Sequence, residues 1–369
     1  MDPAKPSLEL VRSLTDEHVL RALIQHRRLT RAELAVEVGI SKPTAGESVR
    51  RLAERGLVAD TGDRTPGGRG RGRVGSYYAV APTVGVALAV TIAPEGVVAD
   101  CLDIYGDTVA HAVRPIDRPA HPSQVASALQ AAAAEAGATA GQPARLAVVG
   151  AADPVDRATG RLVQLPDAPF LVGALDPVAV LAPYGGGTVI VDNDVNWAAL
   201  AERDSIGAQD LRDFAYLYLG EGLGCAIIND GEVRRGRTGL AGEIAHLLTV
   251  GPDGRAVRFI ELFGELGLRR NGSTAIDAER LLESSAATRQ IVGTAVAGVV
   301  AAVVALADPQ EVVVGGSWGP ALIDDIGTAT ARTPRHVIVR AAGMTGDPVL
   351  AGVRSAALSR LRSAVTAGG

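Results

Sequence analysis

Cysteine is nearly absent from this 369-residue chain, with Cys101 and Cys225 the only two. Two thiols cannot build a disulfide framework or a four-sulfur metal site. The first residues show no secretory signal pattern, so the cytoplasm is the expected compartment. Aromatic side chains are scarce as well, 3% of a chain that is 47% apolar. A core must therefore be built from Ala, Val and Leu, and 44 glycines mark many tight turns. The most apolar run, residues 291–307, has no charge over 17 positions, but it contains Gly293, Thr294 and Gly298 and stops at Asp308-Pro309. It reads as a buried helix rather than a membrane span, and no membrane partner is expected. Length and composition together indicate a globular α/β chain of two or three compact units.

Charge is unevenly spread. The net charge is −5, yet residues 1–80 hold 14 Lys and Arg against 10 Asp and Glu, which leaves the remainder at −9. A polyanion would bind at the basic end.

That end has helix-turn-helix spacing. Over residues 15–25, Val19, Leu20, Leu23 and Ile24 recur at helical intervals behind Thr15, which reads as an N-cap followed by Asp16 and Glu17. Thr30 and Glu33 form a capping-box pattern for a second helix that Gly39 stops. Ser41 caps a third, residues 41–55, with Pro43 in its first turn, where a missing N–H costs little. Ala45, Val49 and Leu52 make its buried stripe, which leaves Lys42, Thr44, Ser48 and Arg51 as candidates to face DNA, together with Ser41. Short strands at 57–59 and 76–80 flank a loop in which residues 64–73 carry four arginines, four glycines and no acid. Arg69, Arg71 and Arg73 in such a wing suit phosphate or the narrow minor groove, because their charge is permanent and their donors are forked.

From about residue 81 strands and helices alternate. Strands are expected at 84–91, 97–104, 146–150, 188–191, 214–219, 225–229 and 311–314, with helices at 122–136, 195–201, 278–282 and 288–307, the pattern of mixed sheets covered by helices. In "VDNDVNWAALAE", 191–202, polar residues follow a buried strand: Asp194 could take a proton from a hydroxyl that Asn193 orients, or 192–196 could be an N-cap cluster. Gly220, Gly222 and Gly224 could let amides approach a phosphate, or could form a plain hairpin turn. "GLAGEIAHLLTVGPDG", 239–254, sets Glu243 and His246 on one face if it is helical.

Taken in order, the winged helix-turn-helix, "VDNDVNWAALAE", "LGEGLGCAIINDGEVRRG", "GLAGEIAHLLTVGPDG", "EVVVGGSW" and "GDPVLAGVRSAAL" resemble the ROK family of bacterial repressors and sugar kinases. The resemblance implies a two-lobed actin-like, hexokinase-like fold behind the winged helix-turn-helix. The DNA-binding domain would take residues 1–80 and the kinase-like sensor 81–369, with lobe 1 at about 81–192 plus a carboxy-terminal helix at 346–366 and lobe 2 at about 193–345. It makes Asn193 a sugar contact and Asp194 the base of the kinase members, with Glu243, His246 and Glu261 as further sugar ligands, a set suited to a polyhydroxylated guest.

The departures from the family pattern carry as much weight. A cysteine cluster that binds zinc with the histidine is missing: Ala256 and Arg258 stand in its place, so no metal is expected. Packing of Val257, Phe259, Ile260 and Leu262 would hold the loop instead. The family's Asp-x-Gly-x-Thr turn, which manages magnesium and phosphate, is matched to Ala87 and Ala89. Ala151-Ala152 replace the usual Pro-Gly of the sugar loop, and Asp167 replaces an Asn. Loss of a metal-organising carboxylate removes stabilisation that phosphoryl transfer needs. The expectation is a non-enzymatic regulator, a repressor with no cofactor and with Asp194 a vestigial base. It would bind double-stranded operator DNA as a homodimer or higher homo-oligomer and respond to a sugar or sugar phosphate. The alternative is an ATP-dependent sugar kinase with an accessory DNA-binding arm.

Overall fold

The computed structural model describes residues 8–65, 75–165, 169–171, 173–206 and 211–367. Helix α1 (Leu8–His26) begins well before the expected start. Thr15 lies inside it, and its hydroxyl donates to the Val11 carbonyl at 2.8 Å instead of capping. After β1 (Leu29–Thr30), helix α2 (Arg31–Val38) opens on the capping box: the Glu33 amide donates to the Thr30 hydroxyl at 3.3 Å, and the Thr30 amide to the Glu33 carboxylate at 2.7 Å. Gly39 ends α2 at φ 73°, a left-handed conformation that favours glycine. Helix α3 (Lys42–Glu54) is capped by Ser41, whose hydroxyl accepts from the Thr44 amide at 3.2 Å. Strands β2 (Val58–Arg64) and β3 (Ser76–Val80) pair antiparallel, and β1 adds to the far side of β3. Three helices and a three-stranded sheet make a winged helix.

The first large sheet is built from β4 (Val86–Ala93), β5 (Gly96–Leu102), β6 (Thr108–Pro115), β7 (Ala144–Ala151) and β8 (Val189–Asn193), in the order β6-β5-β4-β7-β8. β4 runs antiparallel to β5 and parallel to β7. Helices α4 (Pro122–Ala140) and α5 (Pro177–Leu181) cover one face with alanine, valine and leucine, as the scarcity of aromatics requires. Helix α6 (Asp194–Ile206) leads from β8 to the second lobe.

The second sheet has the order β11-β10-β9-β14-β15, with β9 (Phe214–Leu219), β10 (Leu223–Asn229) and β11 (Glu232–Val233) followed much later by β14 (Glu311–Gly315) and β15 (Ile338–Ala341). Between them lie the hairpin β12 (Leu248–Val250) and β13 (Ala256–Arg258), then α7 (Phe259–Glu265), α8 (Ala278–Leu282) and α9 (Ala286–Ala307). By length and composition α9 could cross a membrane, but its valine and alanine face is buried against this sheet in the core of the lobe. α10 (Ile323–Thr330) packs beside it, and α11 (Pro348–Ala367) returns to the first sheet.

α11 gives the fold its functional continuity. Its Val353, Ala357, Leu361 and Val365 belong to one buried cluster with Ala87 and Ala89 of β4, Trp197 of α6, and Leu20 and Leu23 of α1. The winged helix and the first lobe therefore share a core. Arg27 seals the seam: it chelates Asp107 at 2.5 and 2.8 Å, lies 5.2 Å from the centre of the Tyr105 ring, and accepts through its carbonyl from the Tyr105 hydroxyl at 3.2 Å.

Candidate functional site

The outer face of α3 presents Lys42 and Thr44 to solvent, with Ser41 at its cap. Part of the expected DNA face lies elsewhere. Ser48 is fully buried, and its hydroxyl donates to Asp16 at 2.5 Å. Arg51 folds back onto the same carboxylate, at 3.0 Å through Nε and 2.5 Å through Nη2. Both are internal fasteners between α1 and α3, because a buried Asp16 must be satisfied by donors. Arg50 takes the exposed position instead, held between Glu47 and Glu54 at 2.9 and 2.6 Å. Arg69, Arg71 and Arg73 lie outside the described residues, as does Asp167. At the base of the wing, Arg28 is ion-paired with Asp63 and stacks 5.0 Å from the Tyr77 ring.

The second candidate site is the cleft between the two large sheets, a cavity of about 640 Å3. β8 ends there and α6 starts, so their junction delivers polar side chains to the opening. Asn193 is braced by donation to the Asp153 carbonyl at 3.3 Å and by acceptance from the Val195 amide at 3.0 Å. Asp194 accepts from the Val195 amide at 2.8 Å. Behind them, Asp192 accepts from Asn196 and pairs with Arg235, both at 2.7 Å, so this member of the run is structural.

From the opposite wall come Glu243 and His246. The expected α-helix is a single 3-10 turn, Ile244–His246, with Glu243 at its start. The structure thus brings Asn193, Asp194, Glu243 and His246 around one cavity. It does not bring Glu261, which faces away on α7 in an ion pair with Arg258 and has no place in the lining. Gly222 and Gly224 reach the cavity, whereas Gly220 does not, and its amide is spent within the turn on the Gly222 carbonyl at 3.1 Å. Gly224 is glycine for packing: a Cβ there would lie 2.7 Å from Val195.

Asp153, which sequence reasoning passed over, is the third deep carboxylate. It is 2% exposed, and its Oδ2 has no hydrogen-bond partner among the described residues. Burial, then the charges of Asp194 and Glu243, push its carboxyl up to about 7. Burial likewise lifts Asp194 to about 7, with Glu243 and Asp347 adding to it, and lifts Glu243 to about 7. The available signal was an acid directly after the buried run "AVVGAA" that ends β7.

Ala87 and Ala89 are not at the cleft. Both are fully buried mid-strand, opposite Leu102 and Asp100, because β4 runs on to Ala93 before turning. The residues that reach the cleft from this hairpin are Thr91, Ile92, Ala93, Pro94 and Glu95. Glu95 is tied to Arg118 at 3.6 Å, Arg118 crosses to Glu221 of the second lobe at 2.5 Å, and Arg270 holds the other Glu221 oxygen at 2.8 Å. This end of the cleft is laced shut by acids and their own arginines. The residues beyond His246 do not fit zinc. Val257, Phe259, Ile260 and Leu262 are buried core, and among the described residues no three His, Cys, Asp or Glu side chains stand together in a way that could hold a metal ion.

A two-lobed, sugar-kinase-like body with a winged helix built into its first lobe is the class of protein that this fold and cleft define. The ROK family model matches residues 107–258, and a winged helix-turn-helix DNA-binding model matches residues 12–59. The chain thus carries a ROK family domain behind a winged helix-turn-helix DNA-binding domain. It is 32% identical over 145 residues to the bifunctional enzyme NanE/NanK of Brucella suis, a match covering 37% of this chain and 27% of the enzyme. It is 23% identical over 242 residues to a putative xylose repressor of Caldicellulosiruptor sp., covering 64% of this chain and 59% of that protein. The chain thus spans only part of the length of these relatives. A solved ROK family transcriptional regulator, a homologue of the E. coli MLC protein, shares the fold at TM-score 0.63 and 17% identity, over 97% of this chain and 100% of that one.

Proposed function

We propose that the chain is a transcriptional repressor whose kinase-like body binds a polyhydroxylated effector without phosphorylating it. The observation that carries this reading is the shared core. The helix that begins at Asp194 holds Trp197, Trp197 packs with α11, and α11 packs with α1 of the winged helix. An effector that favours one arrangement of the cleft would therefore act on an element joined to the DNA-binding unit, provided that it binds the two arrangements unequally. Lys42 and Thr44 on α3 would read the major groove, and the arginines of the wing would neutralise backbone phosphates. In a homodimer the same motion would change the spacing of two such units.

Against phosphoryl transfer stands the charge of the cleft, where Arg118 and Arg270 are already paired with Glu95 and Glu221, because a bound nucleotide's phosphates need positive charge or metal. The kinase relatives and the retained Asp194 favour the alternative, an ATP-dependent sugar kinase. A coupled ADP-release assay over hexoses and amino sugars separates the two. The repressor reading expects turnover no greater than that of Asp194→Asn; turnover abolished by that substitution overturns it.

A further inference from the structure

The cleft is strongly acidic. Among the described residues seven carboxylates line it, against a single guanidinium, Arg270, and one imidazole, His246. Arg270 is consumed by Glu221, and Arg118 behind it by Glu221 and Glu95. Asp153, Asp194 and Glu243 have no cation within ion-pairing distance among the described residues, and neither do Glu279 and Asp347 at the rim. Asp153 is the sharper observation. It sits in the cavity wall almost wholly out of solvent, and its Oδ2 has no partner among the described residues. A buried carboxylate oxygen without a donor costs free energy that a charged donor from a ligand would recover.

We propose that the cleft selects a polyhydroxylated amine, an amino sugar or aminocyclitol with a free ammonium group, which Asp153 receives between Asp194 and Glu243. The hydroxyls fall to Asn193, Asp194 and His246, and the ammonium supplies the charged donor that Asp153 lacks. A phosphate ester meets the opposite field: its dianion faces uncompensated carboxylates in a low-dielectric pocket. An N-acetylated amine loses the charge and is rejected for lack of it. This inference rests on the cleft being the effector site.

Isothermal titration calorimetry on the full chain at pH 7 tests it with the free-amine, N-acetyl, neutral and 6-phosphate members of the gluco, galacto and manno series. Within the series that binds, the free amine is expected to bind at least about tenfold tighter than its neutral parent, and the 6-phosphate not at all. Asp153→Asn should bring the free amine to within about threefold of the neutral parent measured on the same variant. A neutral, acetylated or phosphorylated sugar binding as tightly as the amine overturns the ammonium assignment while the cleft stands as the effector site. Failure of every member to bind removes both. The ranking in the unsubstituted protein decides the matter even where the variant does not fold.

Discussion

Replacing Asp153 by asparagine removes a charge that the fold desolvates, and the consequence is a change in how stability depends on pH. The carboxyl is raised from 3.8 to about 7 by burial and by Asp194 and Glu243, so the folded chain holds this proton more tightly than the unfolded one. Stability from this group is complete below the unfolded value, declines as pH rises from about 4 to 7, and is flat above. Each pKa unit corresponds to about 1.4 kcal/mol, which makes the full effect about 4 kcal/mol, of which roughly 2–3 kcal/mol falls between pH 5 and 8. The amide introduced by the substitution would carry a desolvation cost of its own, about 1–3 kcal/mol, but that cost does not vary with pH. The difference between the two proteins should therefore move in favour of Asp153→Asn by about 2–3 kcal/mol from pH 5 to pH 8. Urea unfolding at pH 5, 6, 7 and 8 measures it. Trp197 and Trp318, both buried, report by fluorescence from α6 and from the second lobe. Parallel stability curves, with a difference constant to within about 0.5 kcal/mol, would refute the claim that Asp153 is a desolvated carboxylate.

Asp16→Ala strips Ser48 and Arg51 of their shared acceptor and should cost the winged helix about 2–3 kcal/mol; unchanged thermal unfolding would show that this fastener contributes nothing. Thr44→Ala should alter sequence preference, whereas Lys42→Ala should weaken binding to all DNA and reduce the salt slope by roughly 0.9. Ser48→Ala, now placed inside the domain, should lower stability without changing the ratio of specific to random binding, a result that anisotropy titrations on both kinds of duplex decide.

How much of this was legible in the sequence depended on whether a feature is local. The caps of α2 and α3 were, because Thr30, Glu33, Ser41 and Pro43 act within four residues of themselves. The start of α1 was not: Thr15 has the right chemistry for a cap, but the chain before it is already helical. Ser48 and Arg51 were misplaced for a nonlocal reason. Helical periodicity marks the stripe Ala45, Val49 and Leu52, but the acceptor that draws two polar neighbours inward lies on another helix, at Asp16. β6 escaped notice although "TVAHAVRP" alternates buried alanines with outward residues, since those alanines are weak markers of a strand. In the cleft, Asn193, Asp194, Glu243 and His246 stood out as polar residues in their own segments before family resemblance gave them roles, whereas Glu261 came from the resemblance alone and does not reach the cavity, because an orientation on α7 cannot be read from its position in a motif. The turn sought at Ala87 and Ala89 lies five to eight residues later, at the point where β4 gives way to β5.

The central claim is that DNA recognition and cleft occupancy belong to one machine. Fluorescence anisotropy of the full chain on a genomic fragment selected for binding, titrated with the cleft ligand found by calorimetry, examines it in a single cuvette. The account predicts a fragment held at least about 1,000-fold tighter than random duplex, released when the ligand saturates, with no release in a variant that no longer binds the ligand. Equal affinity for all sequences, or a specific complex indifferent to a saturated cleft, would contradict it.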